Sequence, residues 1–103
     1  MSKFEIPRAS DRHKLHILVD GRVRSREVRV DLFDLSETGC KIRGRYGFVN
    51  ERETLTLKID GIKTPLGTVV WVEDEFAGVS FNGRLHPAVL DHISNDPNLK
   101  KFP

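Results

Sequence analysis

Apolar and polar positions alternate through most of the chain with the period of two that a half-buried β-strand requires. Leu15, Ile17 and Val19 alternate with His16 and Leu18, which predicts a first strand. Asp20-Gly21 follows as a two-residue turn signal. Val23 and then Val28 to Leu35 predict a second strand, with Val28, Val30 and Leu32 on one face and Arg29 and Asp31 on the other. The run Phe33-Asp34-Leu35 breaks the alternation, as a bend or bulge would. Ser36 to Gly39 reads as a turn. Cys40, Ile42 and Gly44 continue as a third strand, with Lys41, Arg43 and Arg45 facing the other way.

Leu55, Leu57 and Ile59 alternate with Thr54, Thr56 and Lys58 in the cleanest strand pattern of the chain, and Asp60-Gly61 supplies a second hairpin signal. Ile62 to Val72 reads as one further strand, Glu73-Asp74-Glu75 as an acidic turn, and Phe76 to Phe81 as the last strand. Six strands joined by short turns predict an all-β domain, a six-stranded antiparallel β-barrel whose closure removes exposed sheet edges. After Arg84 the period changes. Val89, Leu90 and Ile93 recur at helical spacing behind Pro87, so one short C-terminal α-helix is expected over 86–94, capping an open end of the barrel. The expected organisation is a polar, flexible arm over 1–13, the barrel with its helix over 14–94, and a tail over 95–103.

A chain of 103 residues is one domain's worth. Its net charge of +2 is too small to imply bulk nucleic-acid binding. The distribution says more: residues 1–45 hold eleven Lys/Arg against seven Asp/Glu, and residues 46–103 hold six against eight. A localised positive face suits a small anionic ligand better than a long phosphate backbone. The strands also lack a run of exposed aromatics for base stacking, which argues against RNA as the partner. Cys40 is the single cysteine, so no intramolecular disulfide forms, in keeping with a reducing compartment. No apolar run approaches the roughly 18–20 residues of a membrane span, and the N-terminus lacks a signal-peptide core. A cytoplasmic location is the expectation.

Enzyme and metal templates fail. Ser36 does not stand in a nucleophile elbow, and no histidine has an acid partner and a nucleophile at diagnostic spacing. Cys40, His86 and His92 are too scattered for a metal signature, and no phosphate loop of the GxxxxGK[ST] type occurs. Neither a catalytic residue, a metal nor a cofactor is expected. Two short patterns remain: Arg8 and Arg12, four apart in the arm, and Asp34, Ser36 and Gly39 in Asp-Leu-Ser-Glu-Thr-Gly at a strand end. Taken alone, the first reads as two solvated arginines. The second reads as turn chemistry, with Asp34 bonding backbone amides and Gly39 supplying positive φ. An antiparallel hairpin between the first two strands returns both patterns to one side of the sheet.

With these residues in this order, the chain resembles the PilZ family. Trp71 near a strand end, followed by Gly78-Val79-Ser80-Phe81, is similar to that family's closing strand. The resemblance covers about residues 6–93. It implies a six-stranded barrel that binds cyclic di-GMP, a bacterial second messenger, and that regulates a protein partner without chemistry on the ligand. It also implies a binding set of Arg8, Arg12, Asp34, Ser36 and Gly39, with Trp71 as a further wall against the ligand. The chemistry agrees with this set. Arginine's planar fork matches the N7 and O6 acceptors of guanine, and can also stack on the base or meet phosphate. The Asp34 carboxylate can accept from guanine N1–H and N2–H₂, the Ser36 hydroxyl can donate, and Gly39 opens the backbone to close approach. Trp71 fits core packing as well as a ligand wall. The competing function is a nucleotide-independent protein-interaction module on the same barrel. The Arg22, Arg24, Arg26 and Arg29 set reads as a solvated face, as added positive field near the site, or as a contact for a protein partner.

Overall fold

The computed structural model describes residues 13–95. Seven strands and one helix follow in order: β1 His13–Val23, β2 Arg26–Leu35, β3 Gly39–Arg43, β4 Thr54–Ile59, β5 Ile62–Lys63, β6 Gly67–Glu73, β7 Phe76–Phe81 and α1 Pro87–Asn95. All pairings are antiparallel. The sheet runs β1-β2-β3-β7-β6-β4 and closes through a β1–β4 pairing, while the two-residue β5 hangs on β4. The six-stranded antiparallel barrel with one short helix is therefore the fold. The expectation for residues 1–12, an arm carrying Arg8 and Arg12, lies outside the described residues, as does the tail after Asn95.

The alternating positions fill the interior. Ile17 and Val19 of β1, Val30 and Leu32 of β2, Cys40 and Ile42 of β3, Leu55, Leu57 and Ile59 of β4, Val69 of β6, and Ala77 and Val79 of β7 are buried in one cluster. Both barrel ends are closed by apolar plugs. At one end, the 44–53 loop inserts Phe48 and Val49. At the other, Leu85 and the α1 residues Leu90 and Ile93 complete the core. Burial of a Val, Leu, Ile or Phe side chain stabilises by about 1.5–3 kcal/mol, so the eighteen of these in the core dominate the folding energy.

Two local expectations are corrected. Asp20-Gly21 is not a turn: β1 runs through it to Val23, and the hairpin turns at Arg24-Ser25, where Arg24 takes φ 59°. Over this stretch β1 is flanked on both sides, Gly21 pairing with Val28 of β2 and with Leu57 of β4. A Cβ on Gly21 would come within 2.9 Å of Leu57 Cδ2 and 3.2 Å of Val28 Cγ2. The glycine thus permits the close approach that closes the barrel, and tertiary pairing overrides the local turn signal. Asp60-Gly61, by contrast, is a turn, with φ of 53° and 80°.

The second correction concerns Ile62 to Val72, which is broken at Thr64-Pro65-Leu66 into β5 and β6. Pro65 has no N–H to give a ladder. Thr64 repairs the seam. Its N–H donates to the Leu57 carbonyl at 2.8 Å, and its buried hydroxyl accepts from Leu57 N–H at 3.0 Å.

Candidate functional site

The predicted bend at Phe33-Asp34-Leu35 is real: the β2–β3 and β1–β2 registers both slip beside it. Phe33 still faces outward, its ring 5.8 Å from that of Phe76 on β7. Against β3, Phe33 and Asp34 together stand opposite the single residue Lys41, while against β1 Asp34 pairs with Lys14. Asp34 is half-buried and makes no hydrogen bond or ion pair among the described residues. A carboxylate held on a rigid strand with both oxygens uncommitted is ready to accept donors from a ligand.

Ser36 has a different situation. It is 0% exposed, and its hydroxyl accepts from the N–H groups of Thr38 and Gly39, each at 3.2 Å. The hydroxyl proton faces the Gly39 carbonyl at 3.3 Å and the Thr38 hydroxyl at 3.2 Å, and Ser36 N–H donates to the same Gly39 carbonyl at 2.9 Å. Ser36, not Asp34, therefore bonds the backbone amides of this turn. Nor does Gly39 supply positive φ. Its Cβ direction points straight at the backbone carbonyl of Val79, so the missing side chain is what lets β3 lie against β7. The turn is further tied to the end of the barrel by Phe81 N–H to the Thr38 carbonyl and Leu85 N–H to the Glu37 carbonyl, both 2.8 Å.

Trp71 lies outside the core. A bulge between Val69 and Trp71 leaves Val70 half exposed and turns the indole to the outer face. There it lies across Gly78, its register partner on β7, where any Cβ would run into the ring. Gly78 also pairs with Lys41 of β3. Trp71, Gly78, Lys41 and the Phe33–Asp34 bulge thus form one outward row across β6, β7, β3 and β2. Three strand spacings make it about 14 Å long. Before Asp34, the row reaches the start of β1: Lys14 pairs with Asp34, and His13, the residue after Arg12, pairs with Leu35. Arg8 and Arg12 themselves are outside the described residues.

The outer face holds more aromatic character than the strand pattern implied. Phe33, Phe76 and Trp71 come from three different strands and are each half-buried there. Lys41 Nζ stands 5.0 Å from the Phe76 ring centroid, and the Arg43 guanidinium stands 5.5 Å from Phe33 and 5.9 Å from Phe76. These are cation–π distances. Arg43 also donates twice to Asp31 Oδ2, at 2.9 and 3.2 Å, and His16 stacks on Phe33 at 4.6 Å with Nε2 3.6 Å from Asp31 Oδ1. No linear window of sequence shows this cluster. The only available signal was that Phe33, Lys41, Arg43 and Phe76 occupy outward positions of strands that then pair.

The first-hairpin arginines are largely spoken for. Arg22 pairs with Glu27 at 2.9 Å, Arg29 with Asp20 at 3.4 Å, and Arg26 donates to the Phe48 carbonyl at 2.8 Å. Cys40 is fully buried, and that burial, with the nearby Asp34 charge adding to it, pushes its thiol far above the usual range. No group of three or more His, Cys, Asp or Glu side chains among the described residues is arranged to hold a metal ion. No helix among them is long and apolar enough to cross a membrane. Comparisons with protein-family models, with curated proteins and with solved structures returned no match to this chain.

Proposed function

We propose that this barrel is a cyclic di-GMP receptor of the PilZ type, a cytoplasmic binding module that alters a partner's affinity and performs no chemistry on the ligand. The observation that carries the reading is the uncommitted Asp34 carboxylate at one end of an outward row that ends in the Trp71 indole. Asp34 accepts the N1–H and N2–H₂ edge of a guanine. Lys41, midway along the row, answers a phosphate. Gly78 lets the Trp71 indole lie close across β7, so that a flat ligand can stack on the ring.

Arg8 and Arg12 supply the opposing side, reading the N7 and O6 edge or stacking on the bases. Support for their proximity is the pairing of His13 with Leu35, which starts β1 beside the Asp34 bulge. Ser36 and Gly39 act in this reading by building the turn that holds Asp34 in place. Titration calorimetry with cyclic di-GMP tests the proposal, with GMP and GTP as controls. Saturable heat for the cyclic dinucleotide alone is the expected result, and silence from a folded protein at tens of micromolar ligand removes it.

The competing reading, a nucleotide-independent protein-interaction module, draws on the Ser36 geometry, which serves the turn completely without any ligand. A partner set in pull-downs that ignores both cyclic di-GMP and the Arg8→Ala, Arg12→Ala pair favours that reading.

A further inference from the structure

A second concave feature lies on a different side of the barrel. In strand order, the β1–β4 seam is three strands away from the β3–β7 seam on which the row above is centred. Outward residues of β1, β4 and β5 border a recess of about 100 Å³ at that seam. Lys58 and Lys63 are register partners on β4 and β5, so two cationic side chains leave the same face from directly opposed positions, and both line the recess. Such like-charge pairs cost stability unless something neutralises them. Neither lysine makes an ion pair or hydrogen bond among the described residues.

The carboxylates at the recess do not do the neutralising. Asp20 is the cross-strand partner of Lys58, yet its oxygen pairs with Arg29 at 3.4 Å, and Glu27 is held by Arg22 at 2.9 Å. Thr56, two residues before Lys58 on the same outward face, adds a half-buried hydroxyl with no partner among the described residues. The two lysine ammonium groups and the Thr56 hydroxyl, none with a partner among the described residues, border a space of phosphate size, which the Arg22 guanidinium, held by Glu27, also lines. Lysine serves phosphate as a compact point charge with rotatable donors, which this arrangement uses twice.

We propose that this recess binds a phosphoryl group, with Lys58 and Lys63 as its principal ligands and Thr56 as a hydroxyl donor. The site is independent of the cyclic di-GMP reading, since it shares no residue with that row. Only the phosphate chemistry is specified, so a soluble phosphate monoester and an anionic lipid headgroup are the two sources to separate.

The test follows backbone amide shifts of the full chain during titration with inorganic phosphate, with chloride matching the ionic strength. The expected result is saturable movement confined to Thr56, Lys58, Lys63 and neighbours in β1. Affinity should weaken at least tenfold in Lys58→Gln/Lys63→Gln and stay unchanged in Arg45→Gln, an exposed cation outside the recess. Both lysines are exposed, so the double variant keeps the fold, and its dispersed spectrum checks this. Glycerol 3-phosphate and phosphatidic-acid vesicles form the second arm. Saturation by the monoester assigns a soluble ligand. Vesicle binding that depends on both lysines, with phosphate moving the same amides, assigns the headgroup. Shifts spread evenly over all surface lysines, or an unchanged response in the double variant, overturn the proposal. Loss of cyclic di-GMP binding elsewhere leaves these outcomes untouched.

Discussion

Replacing Ser36 with alanine isolates one hydroxyl that does three jobs. It accepts from two backbone N–H groups and offers its proton to one of two oxygens, all at zero exposure for the serine. Gly39 is buried, so its N–H loses its partner with no water to replace it; Thr38 is half-buried and is rehydrated in part. A buried donor left unsatisfied costs about 1–3 kcal/mol, and the half-buried one adds a few tenths. The deleted oxygen is small and leaves little void. The sum is about 2 kcal/mol, which for a domain of this length lowers the melting temperature by about 10 °C. Urea unfolding measures it: the midpoint should fall while the slope stays the same, because the surface exposed on unfolding is unchanged. A loss below about 0.5 kcal/mol would refute the reasoning, since it would mean that the turn closes without the hydroxyl.

Gly39→Ala drives a methyl into the Val79 carbonyl, a backbone atom that cannot swing aside. A cost of about 3 kcal/mol is expected, with amide exchange accelerated at Cys40 and Ile42 as β3 lifts from β7. Gly78→Ala meets only the outward Trp71 ring, so it should displace the indole at smaller cost; the emission of this single tryptophan shifts to the red. Cys40 should resist thiol reagents in the native state at pH 8 and react fully in urea. Its thiol holds its proton more tightly in the folded chain than at the ordinary value of 9.0, so the unfolded state loses protons first as pH rises. The Cys40 contribution to stability is therefore constant below about pH 9 and declines above it, which a Cys40→Ala comparison across pH 8 to 10.5 detects.

The barrel is legible in the sequence because its interior is built from period-two positions, and Ile17, Leu32, Ile42, Leu57 and Val79 all fall where alternation puts them. Asp60-Gly61 and Asp20-Gly21 look alike locally. They differ in what flanks them: the first ends a strand at the edge, and the second lies in a strand paired on both sides, which no local pattern reveals. Trp71 was ambiguous between core and surface because Val70 and Val72 are also apolar; the bulge at Val70 settles its direction, and bulges depend on the partner strand's register. The Asp34–Ser36–Gly39 pattern was visible as a turn, but its division of labour was not. Serine holds the amides, glycine admits β7, and the aspartate is left over. That leftover carboxylate is the feature on which the proposed binding role of this strand end rests.

The central measurement is calorimetric titration of cyclic di-GMP into the wild-type chain and into Asp34→Ala, each with its unfolding curve taken beside it. Asp34 makes no hydrogen bond or ion pair among the described residues, so the variant should keep its stability to within about 0.5 kcal/mol while its affinity drops at least tenfold, because a ligand's buried donors lose a charged acceptor. Equal affinity in the two proteins, or no binding to either while both are folded, contradicts the account.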